Sequence, residues 1–210
     1  FQGNPTGNKS AALANFPAPP EPTSGSRTLA ERLKFPEYVP PALILPHGKV
    51  GNSPSGVACD MSKGKFGPWE SHMLIGEQTA SQVQRANLEV VNGLYQGAVF
   101  HFLGGFEAGL IPVRMDQEDG TLFVGGSNRG WGSRGSKNFT FERVRFKGKV
   151  PFEMHNISAR NDGFEVTFTH PVDAAAAADV ANYTMDTFTY IYQSSYGSPE
   201  VDQTTPTIKS

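Results

Sequence analysis

Residues 119–148 read DGTLFVGGSNRGWGSRGSKNFTFERVRFKG. Both ends are β-type: Leu122, Phe123 and Val124 precede the middle, Phe139 to Val144 follow it, and glycine bounds each run. The middle mixes glycine with Arg129, Trp131 and Arg134 and has hardly an aliphatic side chain to offer a core. It predicts a long connection between two strands.

An earlier stretch has the same order of parts. VACD (57–60), MLIGE (73–77) and VQRANLE (83–89) correspond to VRMD (113–116), LFVGG (122–126) and ERVRFKG (142–148), which places Met73 and Leu122 49 residues apart. LIGEQ reaches its next strand through TASQ, whereas LFVGG needs SNRGWGSRGSKN, an insertion of about ten residues. A period of roughly 40–50 residues carrying about four short strands is the signature of propeller blades. From Ala42 to Lys149, strand-length runs recur between glycine and proline: ALILP, SGVACD, HMLIGE, SQVQRANLEV, GAVFHF, LIPVRM, TLFVGG and FTFERVRF. They predict two blades and part of a third, short of the roughly four to eight that close a ring, so the chain reads as incomplete.

Composition supports an all-β reading. The chain has 210 residues, 38% hydrophobic and 18% charged, with 23 Gly and 16 Pro, a balance that favours loop-rich β structure over helices or disorder. Net charge is −2 and the basic residues are scattered, which argues against nucleic acid as a partner. No apolar run approaches the ~20 residues of a membrane span, and FQGNPTGNKS has neither the basic nor the apolar region of a signal peptide. Cys59, the only cysteine, excludes an internal disulfide or a CxxC site and reads as a buried strand thiol.

The flanks differ in texture. Residues 1–41 are proline-rich and predict an extended arm with a short helix at TLAERL. After Lys149, in 150–210, EMHNISARNDGFEVTFTHPVD predicts a hairpin around an Asn-Asp-Gly turn, AAAAADVANY a short helical segment, and TMDTFTYIYQ an aromatic strand. This order suits the opening of an immunoglobulin-like sandwich with about three of its roughly seven strands. The predicted organisation is an arm (1–41), C-terminal blades of a partial β-propeller (42–149) and the start of an Ig-like β-sandwich (150–210).

The runs GKFGPWESHMLIGEQ, VNGLYQGAVFHF, DGTLFVGGSNRGWGSRG, GKVPFEMHNISARNDGFEVTFTHPVD and YGSPEVD resemble one family. It is the propeller of large secreted bacterial proteins of the membrane-bound dehydrogenase type, related to glucose and sorbosone dehydrogenases of the quinoprotein superfamily. The resemblance covers nearly the whole chain. It implies further blades and domains, or other subunits, as partners, a secreted or periplasmic location, and oxidation of a sugar alcohol or hemiacetal using pyrroloquinoline quinone and calcium in the parent protein. The catalytic histidine would fall in blades outside this chain, which alone is expected to be inert and to need partners to stay soluble. Basic cofactor contacts of the relatives align with Thr79, Leu110 and Pro112. These three supply none of the charge-assisted bonds that a tricarboxylate quinone needs, so tight quinone binding by this chain is not expected. The alternative implied function is a non-catalytic propeller that binds glycans or organises an extracellular assembly.

Among individual residues, Arg129, Trp131 and Arg134 form the candidate substrate- or partner-binding set. An indole would stack on a sugar face and guanidiniums would grip its oxygens; the competing reading has Trp131 anchoring the loop over a neighbouring blade. No catalytic residue is assigned. His47, His72, His101, His155 and His170 are isolated, without HxH or HExxH spacing, so no metal site is expected of them. Asp60, Asp116, Glu118 and Asp119 lie near glycines at strand ends and read as turn formers as readily as calcium ligands. Tyr95, Phe100 and Phe102 read as blade core. No G-x-S-x-G elbow supports hydrolase chemistry.

Overall fold

The computed structural model of the chain describes residues 24–35, 39–193, 195 and 197–209. The chain is all-β in character and divides into two compact units. One unit is Ala42–Pro171; the other joins the described residues before Ala42 to those from Val172 onward. Much of the proline-rich arm, including 1–23, lies outside the described residues.

In Ala42–Pro171, strands β1 (Pro54–Cys59), β2 (Met73–Glu77), β3 (Gln82–Val91) and β4 (Leu94–Gly104) form a four-stranded antiparallel sheet in sequential order. β5 (Leu110–Asp116), β6 (Thr121–Ser127) and β7 (Phe139–Val144) form a three-stranded one. Short connections dictate this meander. Between β3 and β4, Asn92 (φ 50°) and Gly93 (φ 78°) supply the two positive-φ residues of a tight hairpin turn. ALILP forms no strand: Pro40, Pro41 and Pro46 remove donors a ladder would use, and the Pro46 carbonyl instead accepts from the N–H groups of Lys49, Val50 and Gly51.

The register reproduces the first two parts of the sequence repeat and shifts the third by one residue, so that Arg85 corresponds to Arg143 and not to Val144. Cys59 lies opposite Met73 as Met115 lies opposite Leu122, and Leu74 lies opposite Arg85 as Phe123 lies opposite Arg143. The copies pack head to tail. The first sheet contributes its Leu74 and Val83 side, the second its Leu110, Val113, Leu122 and Val124 side, and Phe66 and Trp69 from the 60–72 connection, with Phe106 from the β4–β5 connection, complete the core. β5 crosses β1 and β2 closely because glycine thins the first sheet there: a Cβ at Gly76 would lie 2.7 Å from Val113 Cγ2, and one at Gly56 2.7 Å from Val113 N. Phe123 and Phe141, on the face of the second sheet that corresponds to the contact face of the first, stack on each other with centroids 5.9 Å apart, and Phe139 and Phe141 are each 78% exposed.

The expected hairpin is β8 (Met154–Arg160) with β9 (Gly163–Phe168), and it belongs to the same unit as the two sheets, which extends past Lys149 to Pro171. The other unit holds α1 (Thr28–Lys34), where TLAERL was expected to be helical, α2 (Ala174–Ala178), and a separate two-stranded sheet of β10 (Thr187–Tyr190) and β11 (Glu200–Thr204). Asp173 caps α2 by accepting from Ala176 N at 2.8 Å, and Arg27 grips Asp202 through two 2.7 Å bonds.

Two burial expectations fail for reasons of strand position. Cys59 is exposed, because β1 is an edge strand whose Ala58 turns to the core and whose Val57 and Cys59 turn away. Tyr95 is 63% exposed, near the far end of the long β3–β4 ribbon beyond the reach of the core, while Phe102 packs against it.

Candidate functional site

The 128–138 connection between β6 and β7 is built around Asn128. Its side-chain oxygen accepts from Gly109 N (3.0 Å) and Ser133 Oγ (2.5 Å), and its amide donates to the carbonyls of Gly135 and Lys137 (both 2.8 Å). A neutral amide, with donors and acceptor together, is the only ordinary side chain that fills this role. Neighbouring connections fix the rest. Arg134 N donates to Thr79 O (2.8 Å), Gln78 Nε2 to Trp131 O (3.2 Å), Lys137 N to Glu107 O (2.8 Å), and Gly135 N to Ser81 Oγ (2.9 Å). Ser81 holds a left-handed backbone (φ 52°) and is buried, a strained placement maintained where its hydroxyl meets the loop.

A pinned backbone thus carries free side chains. Trp131 is 77% exposed and Arg129 and Arg134 are exposed, and among the described residues neither guanidinium enters an ion pair. Beside the loop lies a cleft of about 480 Å³ whose walls are the 48–52 segment, the β2–β3 connection and Gly132 to Arg134, with Gln82 and His101 contributing from β3 and β4. Its base is braced by Glu77, wholly buried, whose carboxylate accepts from the N–H groups of Asn52 (2.9 Å), Ser53 (2.5 Å) and Ala80.

Of the positions matched to quinone contacts, Thr79 lines this cleft, Leu110 is fully buried in the core, and Pro112 is exposed beside Gly125. They offer a tricarboxylate no common cationic cradle. The acidic residues at strand ends act in turns: Asp60 accepts from Ser62 N and Oγ, Asp116 from Glu118 N, and Asp119 from Thr121 N. Among the described residues no group of three or more His, Cys, Asp or Glu is placed to hold a metal, and no helix is long and apolar enough to cross a membrane.

A second constellation was not legible in the sequence. Arg85, fully buried on β3, lies 4.1 Å from the Trp69 ring centroid and 4.3 Å from that of Phe100, and donates to the carbonyls of Met154 and His155 and to His72 Nδ1, each at 2.8 Å. His155 stacks on Trp69 and donates from Nε2 to Pro68 O at 2.6 Å. Burial, then the Arg85 and His155 charges, push His72 down to about 4, and burial lowers Arg85 to about 10 against the opposing charge of Glu153. His72 is therefore neutral near pH 7, with Nδ1 occupied. The cluster clasps β8 to the first sheet; it does not present an acid or base to a substrate. The repeat as read from the sequence set Arg85 against Val144; only the register shows that Arg85 and Arg143 hold matching positions in β3 and β7.

No family model, curated protein or solved structure matches this chain.

Proposed function

We propose that this chain contributes neighbouring blades of a β-propeller and acts as a carbohydrate-binding module, with the 128–138 loop as its contact surface. The observation that carries the reading is an indole 77% exposed on a backbone held by a four-bond asparagine hub. A loop that merely covered a core would bury its Trp. A rigid loop that presents one, flanked by exposed Arg129 and Arg134, has an apolar plate for a sugar ring and forked donors for its oxygens at little ordering cost on binding. The head-to-tail packing of two copies of one strand pattern supports the propeller part, since such contacts form a ring where the rotation between members closes. The Ig-like reading of 150–210 has only the β8–β9 and β10–β11 hairpins in its favour.

Trp131→Ala is expected to weaken glycan binding by about 1–3 kcal/mol, the benefit lost with a large apolar contact, while leaving the melting temperature nearly unchanged because the indole is exposed. Glycan-array binding and thermal unfolding of the same variant test this; a clear loss of stability with binding intact would return Trp131 to a packing role.

The second reading, a quinoprotein sugar dehydrogenase-type propeller working outside the cytoplasm, is supported by the motif resemblance and the repeated sheets. On that reading the oxidation chemistry belongs to residues beyond this chain, and Thr79, Leu110 and Pro112 leave quinone holding to others. Calorimetry with quinone and calcium should give no micromolar binding to this chain.

A further inference from the structure

We propose that the outer edge of β7 pairs antiparallel with β7 of a second copy of this chain, about a two-fold axis that sets Phe141 opposite Phe141 of that copy and joins the two three-stranded sheets into one. The inference is independent of the carbohydrate reading above. Among the described residues β7 pairs with β6 alone, and its Phe139 and Phe141 are each 78% exposed, with Arg143 exposed beside them. Asn138 O accepts from Asn128 N, so the backbone groups of Asn138, Thr140 and Glu142 turn toward β6. Those of Phe139, Phe141 and Arg143 therefore turn to the outer edge, on the residues whose side chains are exposed.

The order Phe-Thr-Phe-Glu-Arg (139–143) complements itself in that register. Phe139 comes opposite Arg143 of the second copy, once at each end of the contact, and Thr140 comes opposite Glu142. The first sheet already contains such a pairing. Arg85, which holds on β3 the place of Arg143 on β7, lies opposite Phe100 of β4 with its guanidinium 4.3 Å from that ring centroid. β4 thus covers on β3 the edge that β7 presents outward, and the β7 of a second copy continues the same interface. The two nearest registers that keep the outward backbone groups paired fail by charge. One sets Arg143 opposite Lys137, the other sets Glu142 opposite Glu142, and like charges directly opposite are destabilising. A contact of this kind is isologous and closes at two members, unlike head-to-tail stacking through the sheet faces.

Sedimentation equilibrium of the whole chain across a concentration series should show a monomer–dimer equilibrium that stops at two. Phe139→Arg sets like charges opposite at both ends of the contact and should weaken dimerisation about tenfold, whereas Phe139→Glu meets Arg143 with the opposite charge and should hold the affinity within about threefold of the parent. Position 139 is exposed, so equal melting temperatures of the two variants in dilute solution keep folding out of the comparison. In a Cys59→Ser background, Phe141→Cys should form an intermolecular disulfide on mild oxidation, because the ~5.5 Å between opposite Cα atoms of such a pair lies within disulfide reach. Phe123→Cys, on the central strand β6, should not. A chain that is monomeric at every concentration overturns the proposal. So does equal weakening by Phe139→Arg and Phe139→Glu without cross-linking at position 141, which places the contact elsewhere, and so does open-ended growth, the mark of head-to-tail stacking.

Discussion

Single residues here separate rigidity from exposure. Arg85 and His72 are buried, ring-packed and hydrogen-bonded, whereas Trp131, Arg129 and Arg134 are held only through their backbones. The buried pair has a measurable consequence. His72 titrates near 4 in the folded chain against about 6.5 when unfolded, so the unfolded state binds the extra proton between those values. Its contribution to stability is complete above pH 6.5 and is lost as pH falls toward 4, by at most about 3 kcal/mol. His72→Gln keeps an acceptor for Arg85 and removes the titration. The stability difference between pH 7 and pH 4, from denaturant unfolding, should narrow in the variant by most of that amount; an unchanged difference would assign the acid sensitivity to other groups. None of this was readable from isolated histidines in the sequence, because His72 and His155, 83 positions apart, meet only when β8 docks on β3 and β4. Trp131, in contrast, was singled out in the sequence by its glycine-rich surroundings, which left both an exposed platform and a packed anchor open.

At the scale of elements, strands and their repeat were legible because period-two hydrophobicity and glycine boundaries are local signals, and the matched registers of the two sheets follow from them. ALILP shows the limit: five apolar or proline residues of strand length do not pair when the flanking prolines cannot donate. The role of Asn128 was equally hidden, since its four partners come from Gly109, Ser133, Gly135 and Lys137. Asn128→Ala should therefore disorder the loop more than it destabilises the sheets, costing about 1–3 kcal/mol overall for groups left unpaired near the surface. Hydrogen exchange should show lost protection at Gly109, whose N–H bonds Asn128 directly, with β2 and β3 unaffected, and glycan binding should fall although Trp131 is still present. Retained binding would mean that the platform needs no fixed backbone.

Across the molecule the decisive property is that the two sheets meet by unlike faces. A contact of that kind has no internal reason to stop after two members: the side that the first sheet buries with Leu74, Gly76 and Val83 is presented again by the second as Phe123, Gly125 and Phe141. In a propeller a further sheet covers that side. In this chain Phe139 and Phe141 lie open on the edge strand β7, where unpaired backbone groups and aromatic surface together invite association. Replacing both with lysine removes the apolar surface and adds the charge by which natural edge strands resist pairing. Because each side chain is 78% exposed, the double variant loses little burial, and its stability should stay within about 0.5 kcal/mol per site of the parent. Light scattering across a concentration series should show less self-association in the variant at equal melting temperature. A parent chain that stays monomeric at every concentration would show that the Phe123–Phe141 face is satisfied as it stands, and would remove the main structural support for continued stacking.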